Sequence, residues 1–147
     1  MDVISLIPVI VKATKFVFNE VGKWLQQVQT RSSNITPESS ELALPENAPL
    51  LTQQQFAVLE ANPSHLMAVI NVELAKTNAY EIESLVKQIQ IHRRNLVDFE
   101  TAETELAVLT PPHIKRGIER EATEISKKSV RLKALLEQVY GRRIENA

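Results

Sequence analysis

Apolar residues recur at helical spacing in three long stretches of the chain, and this pattern predicts an all-α protein. Over residues 2–30, polar side chains cluster within one narrow arc of a helical projection, and apolar side chains fill most of the remaining circumference, with Thr14 and Glu20 as exceptions. The polar arc contains Ser5, Lys12, Lys15, Asn19 and Lys23. Pro8 lacks a backbone N–H, so this first helix either begins near Pro8 or kinks there.

Two later stretches show alternating spacings of three and four, which is typical of a heptad seam. The first seam contains Ile82, Leu85, Ile89, His92, Leu96, Phe99, Glu103 and Leu106. The second seam contains Ile118, Ala122, Ile125, Ser129, Leu132, Leu136 and Val139. Helices of about 30 residues are about 45 Å long, and the tight connection Thr110-Pro111-Pro112 joins these two. Thr110 can cap the second of these helices, and Gly141 is well placed to end it. The seams therefore predict a long C-terminal antiparallel helical hairpin over 78–108 and 111–140.

Local signals divide the chain between the first helix and the hairpin. Residues 31–52 are rich in proline, serine and glutamate, which predicts an exposed acidic linker. Thr52 and Gln55 have the spacing of a capping box for a short helix over about 53–61. We expect the first helix and the helices over 53–76 to pack against the hairpin, which closes a four-helix-type bundle in a single domain with 53–147 as its core.

The helix that follows residue 61 has more than one interpretation. Asn62-Pro63 supplies an N-cap and a proline in the first turn. The helix then either ends near Lys76, with Thr77-Asn78 as a break and a new cap, or continues to about Val108. The segment LMAVINV is rich in β-branched residues, so a short strand there is a less favoured third interpretation.

The composition excludes several kinds of site. Of 147 residues, 44% are hydrophobic and 24% charged, with no cysteine and 3 glycines. Disulfides, thiolate zinc sites and cysteine nucleophiles are therefore absent, and glycine-rich phosphate loops are disfavoured. The net charge of -1 divides into +2 over residues 1–31, -7 over 32–110 and +4 over 111–147. This division favours packing of the elements on each other, and it also leaves both ends free to face an anionic surface.

The residue types that carry catalysis show no familiar arrangement. None of His65, His92 and His113 lies in the Glu-x-x-His spacing of di-iron bundles, and hydrolase, metalloprotease and Walker motifs are missing. We expect no catalytic, cofactor-binding or metal-binding residues, and an enzyme with an unfamiliar site is the least favoured alternative. For His92, a hydrogen-bonded core imidazole is favoured over a pH-dependent switch. Glu103 is expected to pair with a lysine or arginine of the last helix.

The first helix is the element that suggests a function. It combines a broad apolar surface, lysines on the narrow opposite face and Trp24 near one end, as in helices that lie in or insert into a bilayer. A bundle core would use the same residues, but the apolar surface exceeds what one bundle groove covers. Each such side chain is worth roughly 1.5–3 kcal/mol when buried, so the surplus predicts another partner: a membrane, a second copy or a further domain.

The opening sequence MDVISLIPVIVKATKFVFNEVGKWL, with a linker and a helical bundle after it, resembles the N-terminal four-helix cell-death effector domains. This class includes the fungal HeLo, mixed-lineage-kinase-like, plant coiled-coil and bacterial bell types; the plant EDVID motif is absent here. The resemblance covers residues 1–30 in pattern and the rest in architecture. It implies a helix that is released on oligomerisation and permeabilises a membrane, at the front of a larger signalling receptor. The positions that it carries over are Leu6, Ile7, Ile10, Phe18, Lys12 and Lys15.

Two functions follow as expectations. The first is a cytoplasmic, membrane-directed effector that acts through its N-terminal helix and oligomerisation at the inner face of the plasma membrane. Its candidate membrane- or partner-binding residues are Leu6, Ile7, Ile10, Lys12, Lys15, Phe18 and Trp24. The alternative is a helical adaptor or oligomerisation module with this helix packed permanently in the core. Membrane lipid, anionic lipid included, or a second copy is the expected partner; the charge balance and the few aromatic residues do not indicate nucleic acid.

Overall fold

The first helix is continuous in the computed structural model, which describes residues 3–31 and 44–145. It comprises α1 (Val3–Phe16), a π-helical segment (Val17–Val21) and α2 (Gly22–Arg31), and these three together are called the N-terminal helix. Pro8 lies inside α1 on an exposed position, so the helix begins before the proline.

The rest of the described chain is also mostly helical, which confirms the all-α prediction. The elements are β1 (Leu50–Leu51), α3 (Gln53–Ala61), α4 (Pro63–Val69), α5 (Val72–Leu106), a 3₁₀ turn (Ala107–Leu109), α6 (Pro112–Tyr140) and β2 (Arg143–Ile144). The strands β1 and β2 pair in parallel. Residues 32–43, most of the predicted linker, lie outside the described residues. The end of that linker is not simply exposed, because Leu51 is fully buried.

Three long helices form the body of the protein. Glu81 of α5 pairs with Arg131 of α6 at 2.8 Å. His92, which comes later in α5, contacts Glu121, which comes earlier in α6, so the two helices run antiparallel. The N-terminal helix packs mainly on α5. The short helices α3 and α4 complete the arrangement, so residues 3–31 and 44–145 contain three long helices and two short ones.

The two predicted seams supply most of the hairpin core. In the second seam every residue is buried or half-buried. The first seam is buried or half-buried from Ile82 to Phe99, whereas Glu103 and Leu106 are exposed. The prediction that Glu103 pairs with a lysine or arginine of the last helix is wrong, because no ion pair joins Glu103 to α6 in the part of the chain that the structure describes. These two residues lie near the end of the hairpin, where less protein surrounds α5.

The break before α5 lies at Asn71, so both predicted alternatives, a break at Thr77-Asn78 and a continuous helix, are wrong. The Asn71 side chain accepts a hydrogen bond from the Leu74 N–H at 3.2 Å, and its own N–H donates to the carbonyl of Val139 at 2.6 Å. Thr77 instead donates to the Glu73 carbonyl within the helix. A contact with α6 therefore sets the break, and no strand forms in LMAVINV.

Most of the other cap predictions are confirmed. Thr52 and Gln55 form the capping box of α3, and the Asn62 side chain caps α4. Gly141 ends α6 in the left-handed region at φ 65°. Thr110 is the exception, because its hydroxyl donates to the carbonyl of Ala107 at 2.5 Å and so ends α5 rather than beginning α6.

Candidate functional site

The structure does not place the seven candidate residues on one accessible face. Leu6 and Ile10 are 0% exposed and Phe18 is 1% exposed, so all three belong to the core. Ile7 and Trp24 are half-buried and pack against that core, whereas Lys12 and Lys15 are exposed. Of these seven residues only the two lysines are exposed, and Lys15 is also ion-paired with Glu60.

The π-helical segment explains how so many apolar residues are buried. In a regular α-helix three consecutive residues span about 200° of the circumference, so they cannot all face one groove. Phe16, Val17 and Phe18 are nevertheless all buried, and the wider turn begins at Val17. A π-bulge of this kind reorients neighbouring side chains within a continuous helix.

The surplus apolar surface is covered largely by the chain itself. The ring of Phe18 lies 5.8 Å from that of Phe56 in α3, and Phe56 contacts Tyr140 of α6 edge-on at 6.5 Å. Part of the surface that a single groove would leave uncovered is therefore covered within the chain, whereas Ile4 stays 74% exposed. The short helix α3 acts as a second covering surface for Phe18.

A buried polar contact joins the N-terminal helix to the end of α6. The Thr14 hydroxyl donates to the Ile10 carbonyl at 2.7 Å and lies 2.9 Å from the Tyr140 hydroxyl, which therefore donates to Thr14. Thr14 is 0% exposed, and burial raises the pKa of Tyr140 well above its ordinary value. The phenol stays protonated and keeps this hydrogen bond at all physiological pH values.

The raised pKa of Tyr140 predicts a loss of stability in alkali. Below pH 10 the phenol is protonated in both states, whereas above about pH 10 only the unfolded state releases the proton. We expect the free energy of unfolding of the natural protein to fall by up to about 1.4 kcal/mol per pH unit above pH 10, relative to Tyr140→Phe. Urea unfolding of both proteins from pH 8 to 11.5 measures this, and a constant difference across that range would contradict it.

Ion pairs surround the buried face of the N-terminal helix. Lys15 pairs with Glu60 of α3, and Glu20 accepts a hydrogen bond from Arg93 of α5 at 2.6 Å. Lys15–Glu60 joins a base of the first segment to an acid of the middle segment, as the charge division favours, whereas Glu20–Arg93 has the opposite polarity. They are partly exposed, so each contributes little to stability and they serve mainly to orient the helix.

A small apolar groove lies between the N-terminal helix and α5. It has a volume of about 140 Å³ and is lined by Pro8, Val9, Lys12, Glu83, Val86 and Lys87. Near it Ile4 is 74% exposed. The first turns of α1 are therefore less well covered than the middle of the helix.

Sequence reasoning missed the partner of His92. Its Nδ1 lies 2.5 Å from Oε2 of Glu121, a carboxylate that is only 6% exposed. The prediction of a hydrogen-bonded imidazole inside the bundle is confirmed. Glu121 lies outside the spacing of the second seam, so no periodic signal distinguishes it from a surface glutamate.

Gly117 marks a close approach between the two hairpin helices. A Cβ at this position would lie 2.7 Å from the Phe99 ring. We expect Gly117→Leu to lower the free energy of unfolding by about 1–3 kcal/mol through overpacking, although leucine favours helix by about 1 kcal/mol. A double-mutant cycle with Phe99→Ala tests this by urea unfolding: the cost of leucine should largely disappear once the ring is removed, and an equal cost in both backgrounds would contradict the contact.

Comparisons with protein-family models, with curated proteins and with solved structures gave no match to this chain. Among residues 3–31 and 44–145, none of the helices combines the length and hydrophobicity needed to cross a membrane. Within the same residues, no group of three or more histidine or carboxylate side chains is arranged to hold a metal ion.

Proposed function

We propose that this chain is a non-enzymatic helical adaptor or oligomerisation module, with its N-terminal helix as a permanent part of the core. The observation that carries the proposal is the complete burial of Leu6 and Ile10, together with the burial of Phe18 between the long helices and α3. The function is then carried by surfaces of the folded bundle rather than by a released helix.

Energetics favour this module over an effector whose helix leaves spontaneously. Among residues 3–26 of the N-terminal helix, whose side chains are described, eight apolar residues are buried: Leu6, Ile10, Ala13, Phe16, Val17, Phe18, Val21 and Leu25. Exposing the larger ones would cost roughly 1.5–3 kcal/mol each, which together is comparable to the whole stability of an ordinary domain, about 5–15 kcal/mol. Release therefore requires a partner that compensates most of this cost.

A membrane-directed effector of the cell-death type is the second candidate. The incomplete cover of α1 around Ile4 and the groove beside Val9 support it, because a lipid surface could first engage the helix there. On this proposal α3 and α4 together take the place of the fourth helix of that class. Release would expose Leu6, Ile10 and Phe18 beside the lysines that face an anionic bilayer.

A covalent lock distinguishes the two candidates. Val9 and Val86 line the same groove, and the chain has no native cysteine, so Val9→Cys with Val86→Cys allows a flexible bis-maleimide to tie α1 to α5. Dye release from phosphatidylserine-containing vesicles is then measured for the natural protein and for the double variant before and after cross-linking. The two single-cysteine variants, treated with the same reagent, are the controls.

The adaptor proposal expects intact vesicles for every protein and unchanged self-association after cross-linking. Leakage by the natural protein that cross-linking abolishes, and that both singly labelled controls retain, would overturn it in favour of the effector. Leakage that survives cross-linking would overturn both candidates, because neither the packed helix nor its release would explain it.

A further inference from the structure

The end of the hairpin presents an apolar tip to solvent. Val108 is 98% exposed, Leu109 79% and Leu106 40%, and these three residues are called the hairpin tip. Between them Ala107 has φ 50° and ψ -119°, a region that residues other than glycine rarely occupy. The Thr110 hydroxyl and N–H both donate to the Ala107 carbonyl, at 2.5 and 3.2 Å, which fixes this turn. The tip is thus a defined structure that exposes apolar side chains.

Charges of opposite sign flank the tip. The last turns of α5 carry exposed carboxylates and no basic residue in the final turn, and the acidic flank is Asp98, Glu100, Glu103 and Glu105. The first turn of α6 carries no acidic residue, and exposed Lys115 and Arg116 form the basic flank. The helix dipole favours negative charge at the N-terminus of a helix and positive charge at its C-terminus. The acidic flank lies at the C-terminus of α5 and the basic flank at the N-terminus of α6, so both flanks have the disfavoured sign.

These flanks do not neutralise each other within one molecule. Further along the hairpin, Glu81 pairs with Arg131 and His92 with Glu121 across the two helices. Within the described residues, no ion pair joins the acidic flank to the basic flank. A local arrangement that breaks both the dipole rule and the rule against exposed apolar residues is typical of a functional surface.

We propose that the hairpin tip is a self-association surface that binds the hairpin tip of a second copy of this chain about a two-fold axis. The proposal rests on the proposed function and identifies the surface that performs it. A two-fold axis sets the acidic flank of each copy against the basic flank of the other, so both unfavourable sets are compensated at once. An anionic bilayer would meet four carboxylates at the same tip, which disfavours it as the occupant.

A groove beside the acidic flank can bind the apolar residues of the second copy. Val97, 59% exposed, lies with Glu100 and Glu105 along one shallow groove of α5. A stable dimer generally buries about 1,200–2,000 Å² in total, more than two tips alone provide. The pairing must therefore extend from the tip along this part of α5, which makes Val97 part of the same surface.

Charge reversal gives a specific test. One variant reverses the whole acidic flank with Asp98→Lys, Glu100→Lys, Glu103→Lys and Glu105→Lys, and the other reverses the basic flank with Lys115→Glu and Arg116→Glu. We expect sedimentation velocity to show self-association in the natural protein and at least tenfold weaker association in each variant alone. An equimolar mixture of the two variants should associate again, because every flank then meets its opposite.

The apolar contribution is tested by Val108→Glu, with Val58→Glu as a control that changes another exposed valine, 65% accessible, in α3. Circular dichroism should show both variants folded, and only Val108→Glu should dissociate. A natural protein that stays monomeric up to about 1 mM, or a mixture of the charge variants that stays dissociated, would overturn the proposal. So would binding to phosphatidylserine vesicles that Val108→Glu abolishes. If the natural protein is monomeric and vesicles stay intact with both the cross-linked and the free protein, only the proposal of the hairpin tip as a self-association surface is overturned. If the protein causes leakage that the cross-link blocks, the proposed function is overturned.

Discussion

Replacing Ile10 with glutamate is expected to unfold the protein. Ile10 is 0% exposed in the middle of α1, so the change removes a buried isoleucine and places a carboxylate without a partner in the core. The loss exceeds about 5 kcal/mol, which is as large as the total stability of many domains. Circular dichroism and urea unfolding should show no cooperative transition at 25 °C, or one with its midpoint close to zero denaturant.

Ile4→Glu is the matched control for this experiment. Ile4 lies on the same helix and has the same side chain, but it is 74% exposed. Its substitution should change the free energy of unfolding by no more than about 0.5 kcal/mol. If Ile10→Glu were as stable as Ile4→Glu, the N-terminal helix would not be a required part of the core, and the adaptor proposal would lose its supporting observation.

The contrast between these two isoleucines shows where sequence periodicity stops being informative. The helical projection predicts a broad apolar surface but cannot say how much of it the same chain covers. Phe18 is covered by Phe56, the single buried residue of the short and weakly periodic α3. The widened turn that begins at Val17 also has no sequence signature of its own, because it follows from packing on two sides.

Helix caps could be predicted where the interacting residues lie close together in the sequence. Thr52 caps with Gln55 three residues away, and Gly141 ends α6 through its own backbone conformation. The Asn71 side chain caps α5 through the nearby Leu74 N–H, but the bond from the Asn71 backbone N–H to Val139, which is distant in sequence, could not be predicted. The partner of His92 was missed for the same reason. The strand Leu50–Leu51 likewise forms only because Arg143–Ile144 lies beside it.

The hairpin core provides the second large effect, Leu132→Asp. Leu132 is 0% exposed and lies in the second seam, which the structure buries throughout its C-terminal half. An aspartate there would lose the apolar contacts of leucine and leave a buried charge, and we expect a loss of about 4 kcal/mol or more. Ile91→Asp, at a 54% exposed position of α5, is the control and should cost less than about 1 kcal/mol.

The neighbouring residue Ser129 affects how the stability of Leu132→Asp is interpreted. Ser129 lies one turn before Leu132, is 0% exposed, and its hydroxyl has no hydrogen-bond partner among the described residues. An aspartate at 132 could accept a hydrogen bond from this hydroxyl and recover part of the loss. Leu132→Ala avoids this contact and should cost about 2–5 kcal/mol from the lost contacts and the cavity. If urea unfolding showed both variants to be as stable as Ile91→Asp, the register of α6 against α5 would be wrong. If the free energy of unfolding fell less in Leu132→Asp than in Leu132→Ala, the Ser129 hydroxyl would be the group that stabilises the charge.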